Sequence, residues 1–311
     1  MSILISGSVA LDHIMVFPDR FANHILPDKV HALNVSFNID SLKTHFGGVA
    51  GNIGYHLRLL GGDPVILATA GSDFLAYAAW LDQHGISRAH IKELVDLPTA
   101  QGFVTTDVDD CQIWAFYVGA MARSHEARVE DVAETPQLAI VSSNGREAMI
   151  EHARALKARG VPTYIDPSHG LPILDKPELI ELIDGSAGYF ANDYEWSVTL
   201  EKTGLSEGEL ESRCGSIIVT SGEKGSEVRT GGERVEIPPV KATKVVDPTG
   251  CGDAFRAGYL YGISNGHDVG TAGRIGSVYG SLQVAVEGPQ TLSLDLETFR
   301  KHYAEAFGAA F

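Results

Sequence analysis

The segment Asp247-Pro248-Thr249-Gly250-Cys251-Gly252-Asp253-Ala254-Phe255 sets small side chains and backbone amides beside a carboxylate where an apolar helix begins. Upstream, Val245-Val246 reads as the end of a strand. Downstream, Ala254, Phe255, Ala257, Tyr259, Leu260 and Ile263 fall on one broad helix face. The glycines therefore sit at a helix N-terminus, where unpaired amides and the positive end of the macrodipole favour an anion and glycine lets a phosphate approach the backbone. Asp253, in the first turn, faces the same anion, so the segment joins a phosphate site to a proton acceptor. Read alone, a plainer account serves too: a first-turn acid after a turn. The chain has no Gly-x-x-x-x-Gly-Lys-Ser/Thr, and Phe255 stands three after Gly252, which breaks Gly-x-Gly-x-x-Gly.

Further segments carry related chemistry. Gly47-Gly48-Val49-Ala50-Gly51-Asn52 opens onto Ile53, Tyr55, His56, Leu57, Leu59 and Leu60, a helix stopped by Gly61-Gly62. Asn192-Asp193-Tyr194-Glu195 follows a short apolar run, and Thr220-Ser221-Gly222-Glu223-Lys224-Gly225 precedes the strand pair Glu227–Thr230 and Arg234–Ile237. Taken singly these are a turn with a helix cap, a strand end with a solvated acid, and the approach to a hairpin.

In this order, from Gly7 to about Gly288, the segments resemble the ribokinase-like (PfkB) sugar and nucleoside kinases. The match departs from the family at Cys251, where Ala is usual; a thiol there is small enough to keep the turn but adds sensitivity to oxidation. The resemblance implies that Gly250, Cys251 and Gly252 form an anion hole for the transferred phosphate and that Asp253 is the catalytic base. It implies that Gly47, Gly48 and Asn52, with Ser8 nearby, hold substrate hydroxyls, and that Asp12, in Gly7-Ser8-Val9-Ala10-Leu11-Asp12, grips two of them. Asn192 and Glu195 are implied in Mg²⁺ and phosphate positioning, with Glu195 acting through metal-bound water. Thr220, Gly222 and Gly225 are implied in the nucleotide loop. Carbonyls of Asp247 and Thr249, with the 284–288 loop, are implied as a K⁺-type site.

The implied activity is transfer of the ATP γ-phosphoryl group to an alcohol. Segments around His24-Ile25-Leu26-Pro27-Asp28-Lys29, Asn34–Phe37, Thr99-Ala100-Gln101 and Asp109-Asp110 resemble bacterial adenosine kinases, which points to the ribose 5′-hydroxyl of adenosine as acceptor. Phe37, Phe116 and Tyr117 are candidates for walls against a purine, or for the core of a lid. A sugar kinase of the ribokinase or fructokinase type is the runner-up. A nucleoside sensor without turnover is a further alternative, although it would have no need of Asp253 as a base.

Composition agrees with a compact enzyme. The chain has 311 residues, is 44% hydrophobic and carries a formal net charge of −16, which argues against nucleic acid or an acidic membrane as partner. An acidic protein must neutralise a nucleotide locally; Arg256 and Lys224 are candidates, otherwise read as exposed structural charges. Cys111, Cys214 and Cys251 show no Cys-x-x-Cys spacing, so a zinc site and a disulfide framework are not expected. With no basic leader and no membrane-length apolar run, a cytoplasmic protein is expected.

Short apolar strands at Ile3–Val9, Val65–Thr69, Leu138–Val141, Thr163–Ile165, Tyr189–Ala191 and Ile217–Thr220 alternate with helices at Phe74–His84, Glu147–Arg159 and Glu178–Ile183. The pattern predicts one domain over 1–311, a doubly wound, mostly parallel α/β sheet flanked by helices, with ligands beyond the carboxyl ends of the strands. The rhythm breaks at about 14–46, where Val30–Val35 reads as a strand, and at 100–119, where Gly102–Thr106 and Gln112–Tyr117 read as a hairpin. By resemblance these form a small β lid that excludes water, and lid strands can pair two copies into a homodimer.

Overall fold

The computed structural model describes residues 2–25, 34–109 and 111–311. In chain order the elements begin with β1 (Ser2–Ser6), β2 (Ala10–Val16), β3 (Ser41–Gly47), α1 (Val49–Leu59), β4 (Asp63–Gly71), α2 (Leu75–Gln83), β5 (Ile91–Leu94), β6 (Ala100–Thr106) and β7 (Gln112–Tyr117). They continue through β8 (Leu138–Ser142), α3 (Arg146–Ala158), β9 (Thr163–Asp166), α4 (Lys176–Ile183), β10 (Gly188–Asn192), α5 (Asp193–Thr203), α6 (Glu207–Glu211) and β11 (Ile217–Thr220). Last come β12 (Ser226–Thr230), β13 (Glu233–Ile237), α7 (Cys251–Ser264), α8 (Val269–Gln283) and α9 (Leu296–Phe307).

The main sheet has nine strands in the order β13-β12-β11-β10-β9-β8-β1-β4-β5. From β11 to β5 neighbours run parallel, and β12 and β13 close one edge as an antiparallel hairpin. Side chains alternate between two cores, as a strand buried on both faces requires. Ile3 and Ile5 pack with α1, α7 and α8 through Ile53, Leu57, Leu260 and Ile275, whereas Leu4 packs with α3, α4 and α5 through Met149, Leu179 and Trp196. This is the expected doubly wound α/β architecture.

The small sheet runs β3-β2-β6-β7, with β2 parallel to β6 and the other pairs antiparallel. The predicted hairpin is β6–β7. The first lid strand begins at Ala10, earlier than the expected break, and the strand predicted over Ile3–Val9 ends at Ser6. Of the run Val30–Val35, residues 30–33 lie outside the described residues, as do 26–29 and Asp110; Asn34 and Val35 have no regular structure, and the strand is Ser41–Gly47 instead. Val245-Val246 is not a strand end: both residues are exposed in a loop, with the Val246 amide bonded to the Val284 carbonyl at 2.8 Å.

The last large helices set the start of α7. A Cβ on Gly258 would stand 3.0 Å from Gly276 Cα, and one on Gly276 would stand 2.8 Å from the Phe255 carbonyl oxygen. The α7 and α8 backbones therefore nearly touch. Gly276→Ala should lower stability by about 1–3 kcal/mol, because backbone and not a flexible side chain must yield; urea unfolding against the parent chain measures it.

Candidate active site

Gly250 caps α7 with φ of +77°, and a Cβ there would come 2.8 Å from Pro289 Cβ, so the turn takes only glycine. The amide of Cys251 donates to the Pro248 carbonyl at 3.2 Å. Among the described residues the amides of Gly250, Gly252 and Asp253 have no acceptor. Of the expected Gly250–Gly252 set, the Cys251 amide is thus paired within the turn, and the amide of Asp253 is unpaired beside those of Gly250 and Gly252.

Asp253 is partly buried, and its Oδ2 accepts a hydrogen bond from Asn52 Nδ2 at 2.7 Å. Burial pushes its carboxyl up to about 6; the Arg256 guanidinium and the Asn52 bond pull the other way, Asp166 adds to the rise and His169 opposes it. Asn52, expected on substrate hydroxyls, spends Nδ2 on Asp253 and Oδ1 on Gln290 Nε2 at 3.0 Å. Burial, aided by Asp247 and Asp253, pushes the Cys251 thiol up to about 12, so the expected sensitivity to oxidation lacks its thiolate.

Ser8 is occupied by α1: its hydroxyl accepts from the Val49 amide at 3.1 Å and its carbonyl from the Ala50 amide at 2.9 Å. The hydroxyl thus caps an otherwise unpaired amide of α1, and its own proton is left for a further partner. Gly48 begins that helix with φ of +82°, and a Cβ there would stand 2.6 Å from the Ser8 carbonyl oxygen. Gly47 and Gly102 make room for Asp12: a Cβ on either would lie 2.1 Å from Asp12 Oδ2 or 2.8 Å from Oδ1. Asp12 accepts no hydrogen bond from the described residues. Burial, with Asp247 adding to it, pushes its carboxyl up to about 6.

Strand register places His45, Asp12, Gly102 and Phe116 in one row across the small sheet. Phe116 and Trp114 share the Asp12 face and are exposed, whereas Tyr117 points to the opposite face because strand side chains alternate. Phe37 packs on Phe17 and Phe21, with ring centroids 4.8 and 5.0 Å away, and so belongs to a local aromatic core. Trp114 was legible from the alternation that marks the hairpin, yet the sequence reading passed over it.

At the other end, Asn192 and Thr220 are register partners at the carboxyl ends of β10 and β11. Asn192 and Glu195 form a capping box on α5, each side chain bonding the other's amide at 2.7 and 2.8 Å. Gly222 is exposed with φ of +56°, while a Cβ on Gly225 would stand 2.3 Å from the Ile237 carbonyl oxygen. Arg256 is buried, contrary to the exposed charge expected. It donates to Asp166 Oδ1 at 2.5 Å and the Gly252 carbonyl at 3.1 Å, and stands 4.0 Å from Glu195. Asp166 also accepts from Ser142. The sequence reading missed Asp166, whose signal was its place at the end of a parallel strand.

Asp247 accepts from the Thr249 amide at 2.9 Å and the Gly288 amide at 2.8 Å; burial alone would raise its carboxyl, but these bonds hold it below the usual range. The Thr249 carbonyl accepts from Gln283 Nε2 at 3.2 Å. A cavity of about 380 Å³, lined by Lys157, Gly160, Pro162, Thr163, Gly185 and Ala187, lies at the amino ends of β9 and β10, away from all these groups. Among the described residues no helix is long and apolar enough to cross a membrane, and no group of three or more His, Cys, Asp or Glu side chains is placed to hold a metal ion.

The sequence pattern of the pfkB family carbohydrate kinases matches residues 7–296. The chain belongs to the pfkB family. It is similar to the Methanocaldococcus jannaschii nucleoside kinase, 29% identical over 287 residues that cover 92% of this chain and 91% of that one. The structure of the Burkholderia thailandensis nucleoside kinase in complex with inosine superposes with a TM-score of 0.91 at 41% identity, covering 99% of this chain and 100% of that one. The same enzyme in complex with ADP-inosine gives a TM-score of 0.88 at 44% identity, covering 99% and 97%.

At pH 8 a thiol-specific alkylating reagent should modify exposed Cys111 well before Cys251. Peptide mass spectrometry over a time course reads the order, and equal rates would contradict the buried, protonated thiol.

Proposed function

We propose that this pfkB kinase transfers the γ-phosphoryl group of ATP to the 5′-hydroxyl of a purine nucleoside. The observation that carries the reading is the α7 N-terminus, where the carboxylate of Asp253 stands beside the unoccupied amides of Gly250, Gly252 and Asp253. A hydroxyl seated against Asp253 gives up its proton to that carboxylate as its oxygen bonds to phosphorus and the bond to the departing ADP breaks. The transition state is loose, so alignment and charge neutralisation carry most of the acceleration. The free amides face the migrating phosphoryl oxygens, and Asp12, which accepts no hydrogen bond from the described residues, is free to accept from two ribose hydroxyls.

The capping-box carboxylate Glu195 uses Oε2 on the Asn192 amide, and its Oε1 has no hydrogen-bond partner among the described residues, which suits a magnesium ion held through water and donor phosphates. Bound with ATP, Mg²⁺ would neutralise phosphate charge. Gly222 and Gly225 frame the nucleotide loop beside Thr220. K⁺ near Asp247 and Thr249 is part of the proposal, and activity in K⁺ against Na⁺ buffer tests it. We read 1–311 as one kinase domain with the small sheet as lid, in the cytoplasm given its free cysteines, and the exposed edge strand β7 as a surface for a homodimer.

Among acceptors, exposed Trp114 and Phe116 on the Asp12 face favour a flat base over a simple sugar. Adenosine is placed first, and inosine, which the Burkholderia enzyme binds, beside it. A panel of nucleosides and sugars with ATP decides among adenosine, inosine and ribose or fructose. Asp253→Asn should reduce kcat by about 10²–10⁴-fold on the preferred acceptor. Binding of nucleosides without turnover by the parent chain would instead establish a sensor.

Both Asp12 and Asp253 are held near 6 and both must be ionised, so kcat/KM should fall as pH drops through 6, with a limiting slope steeper than one proton. The stability sign is opposite. A raised carboxyl favours the protonated fold, so its cost is absent below the ordinary value of 3.8 and complete above about 6. Asp12→Asn should therefore melt higher than the parent at pH 8 and lose that advantage below pH 4, as read by thermal melts at each pH.

A further inference from the structure

Behind Asp253 lies a chain of polar side chains that the proposed reaction does not use. Gln290, in the loop between α8 and α9, is 3% exposed. Its Oε1 accepts the indole N–H of Trp80 at 3.1 Å, and its Nε2 donates to the Tyr77 hydroxyl at 2.6 Å and to Asn52 Oδ1 at 3.0 Å. Asn52, itself buried, passes its Nδ2 to Asp253 Oδ2 at 2.7 Å.

An amide side chain has nearly the same shape either way round, so its orientation is decided by its partners. Here each partner leaves no choice. The indole nitrogen only donates and demands the Gln290 oxygen. The single hydroxyl proton of Tyr77 goes to the Gly47 carbonyl at 2.9 Å, so its oxygen demands the Gln290 nitrogen. With Nε2 facing it, Asn52 must turn its oxygen to Gln290 and its NH₂ to Asp253. The same Tyr77 ties the chain to Gly47, whose missing side chain makes room for Asp12.

We infer that Gln290, anchored by Trp80 and Tyr77, is the positioning residue that keeps the NH₂ of Asn52 turned toward Asp253. It touches no reacting atom. Its consequence is a carboxylate kept in one rotamer and favoured in its ionised form, and the kinetic part of that consequence rests on Asp253 being the base. The other groups facing Asp253 are Arg256 and Cys251 on its own helix, Asp166 and His169 at the end of β9 and just beyond, and Tyr77 on α2. Among the described residues Asn52 is the side chain that hydrogen-bonds it.

Two substitutions in the full chain separate orientation from packing. Gln290→Glu keeps the volume and the Trp80 bond but offers Asn52 only acceptors, so the Asn52 amide should turn over and set its oxygen against Asp253. Gln290→Met keeps the volume and removes the demand. We expect the NMR titration of the Asp253 carboxyl carbon to move up by about one pH unit in Gln290→Glu and by less in Gln290→Met. The acid limb of kcat should move with it, while the nucleoside KM changes by about twofold or less. An unmoved titration in Gln290→Glu, with or without a lower melting temperature, would reduce Gln290 to a packing residue and overturn the inference. A moved titration in a protein whose parent turns over no acceptor would leave the inference standing and remove the kinase reading instead.

Discussion

The hydrogen bond from Asn52 to Asp253 joins the N-terminal halves of two helices that arrive from opposite ends of the chain. Helix α1 starts at the di-glycine turn beside Asp12, and α7 starts at the Gly250 turn with its open amides. The two helices pack together, so the spacing between the di-glycine turn and the Gly250 turn is set by helix contact and not by loop conformation. On its other side α7 is held against α8 at glycine-to-glycine distance. A shift of α7 would therefore have to pass through a core with no slack.

Charge at the site is unusual for what it leaves unbalanced. Asp166 and Glu195 flank buried Arg256, Asp253 faces both Arg256 and Asp166, and Asp12 faces Asp247, in a chain of net charge −16. The guanidinium is committed to Asp166 and to the Gly252 carbonyl, so it braces the α7 turn from within. Burying this ion pair is costly unless each partner is also hydrogen-bonded, and Ser142 completes Asp166 on the other side. The remaining carboxylates respond individually: amide donors hold Asp247 ionised, whereas Asp12 and Asp253 retain protons more tightly.

Much of this was legible in the sequence wherever a local rule and the tertiary structure agree. Parallel strands such as Leu138–Ser142 and Ile217–Thr220 are apolar on both faces and read as strands unaided. The Gly250 turn was legible because a left-handed N-cap and a first-turn acid leave a fixed pattern. Strands β2 and β3 were not, since their partly exposed residues mix polarity and become strands by pairing with one another. Arg256 was read as an exposed charge because nothing local announces Asp166, ninety positions away in the sequence. The capping role of Ser8 was hidden for a similar reason: the amide it accepts belongs to a helix forty-one residues later. Gln290 sits in an aperiodic loop, where a polar residue gives no hint of burial.

Gly102 leaves the row between Asp12 and Phe116 without a side chain. A Cβ at that spot would stand 2.8 Å from Asp12 Oδ1, so bulk added there moves the carboxylate as well as filling the row. The small sheet and the Gly250 turn are separate pieces of chain, so a change of bulk in the one repositions Asp12 while the backbone of the other stays as it is.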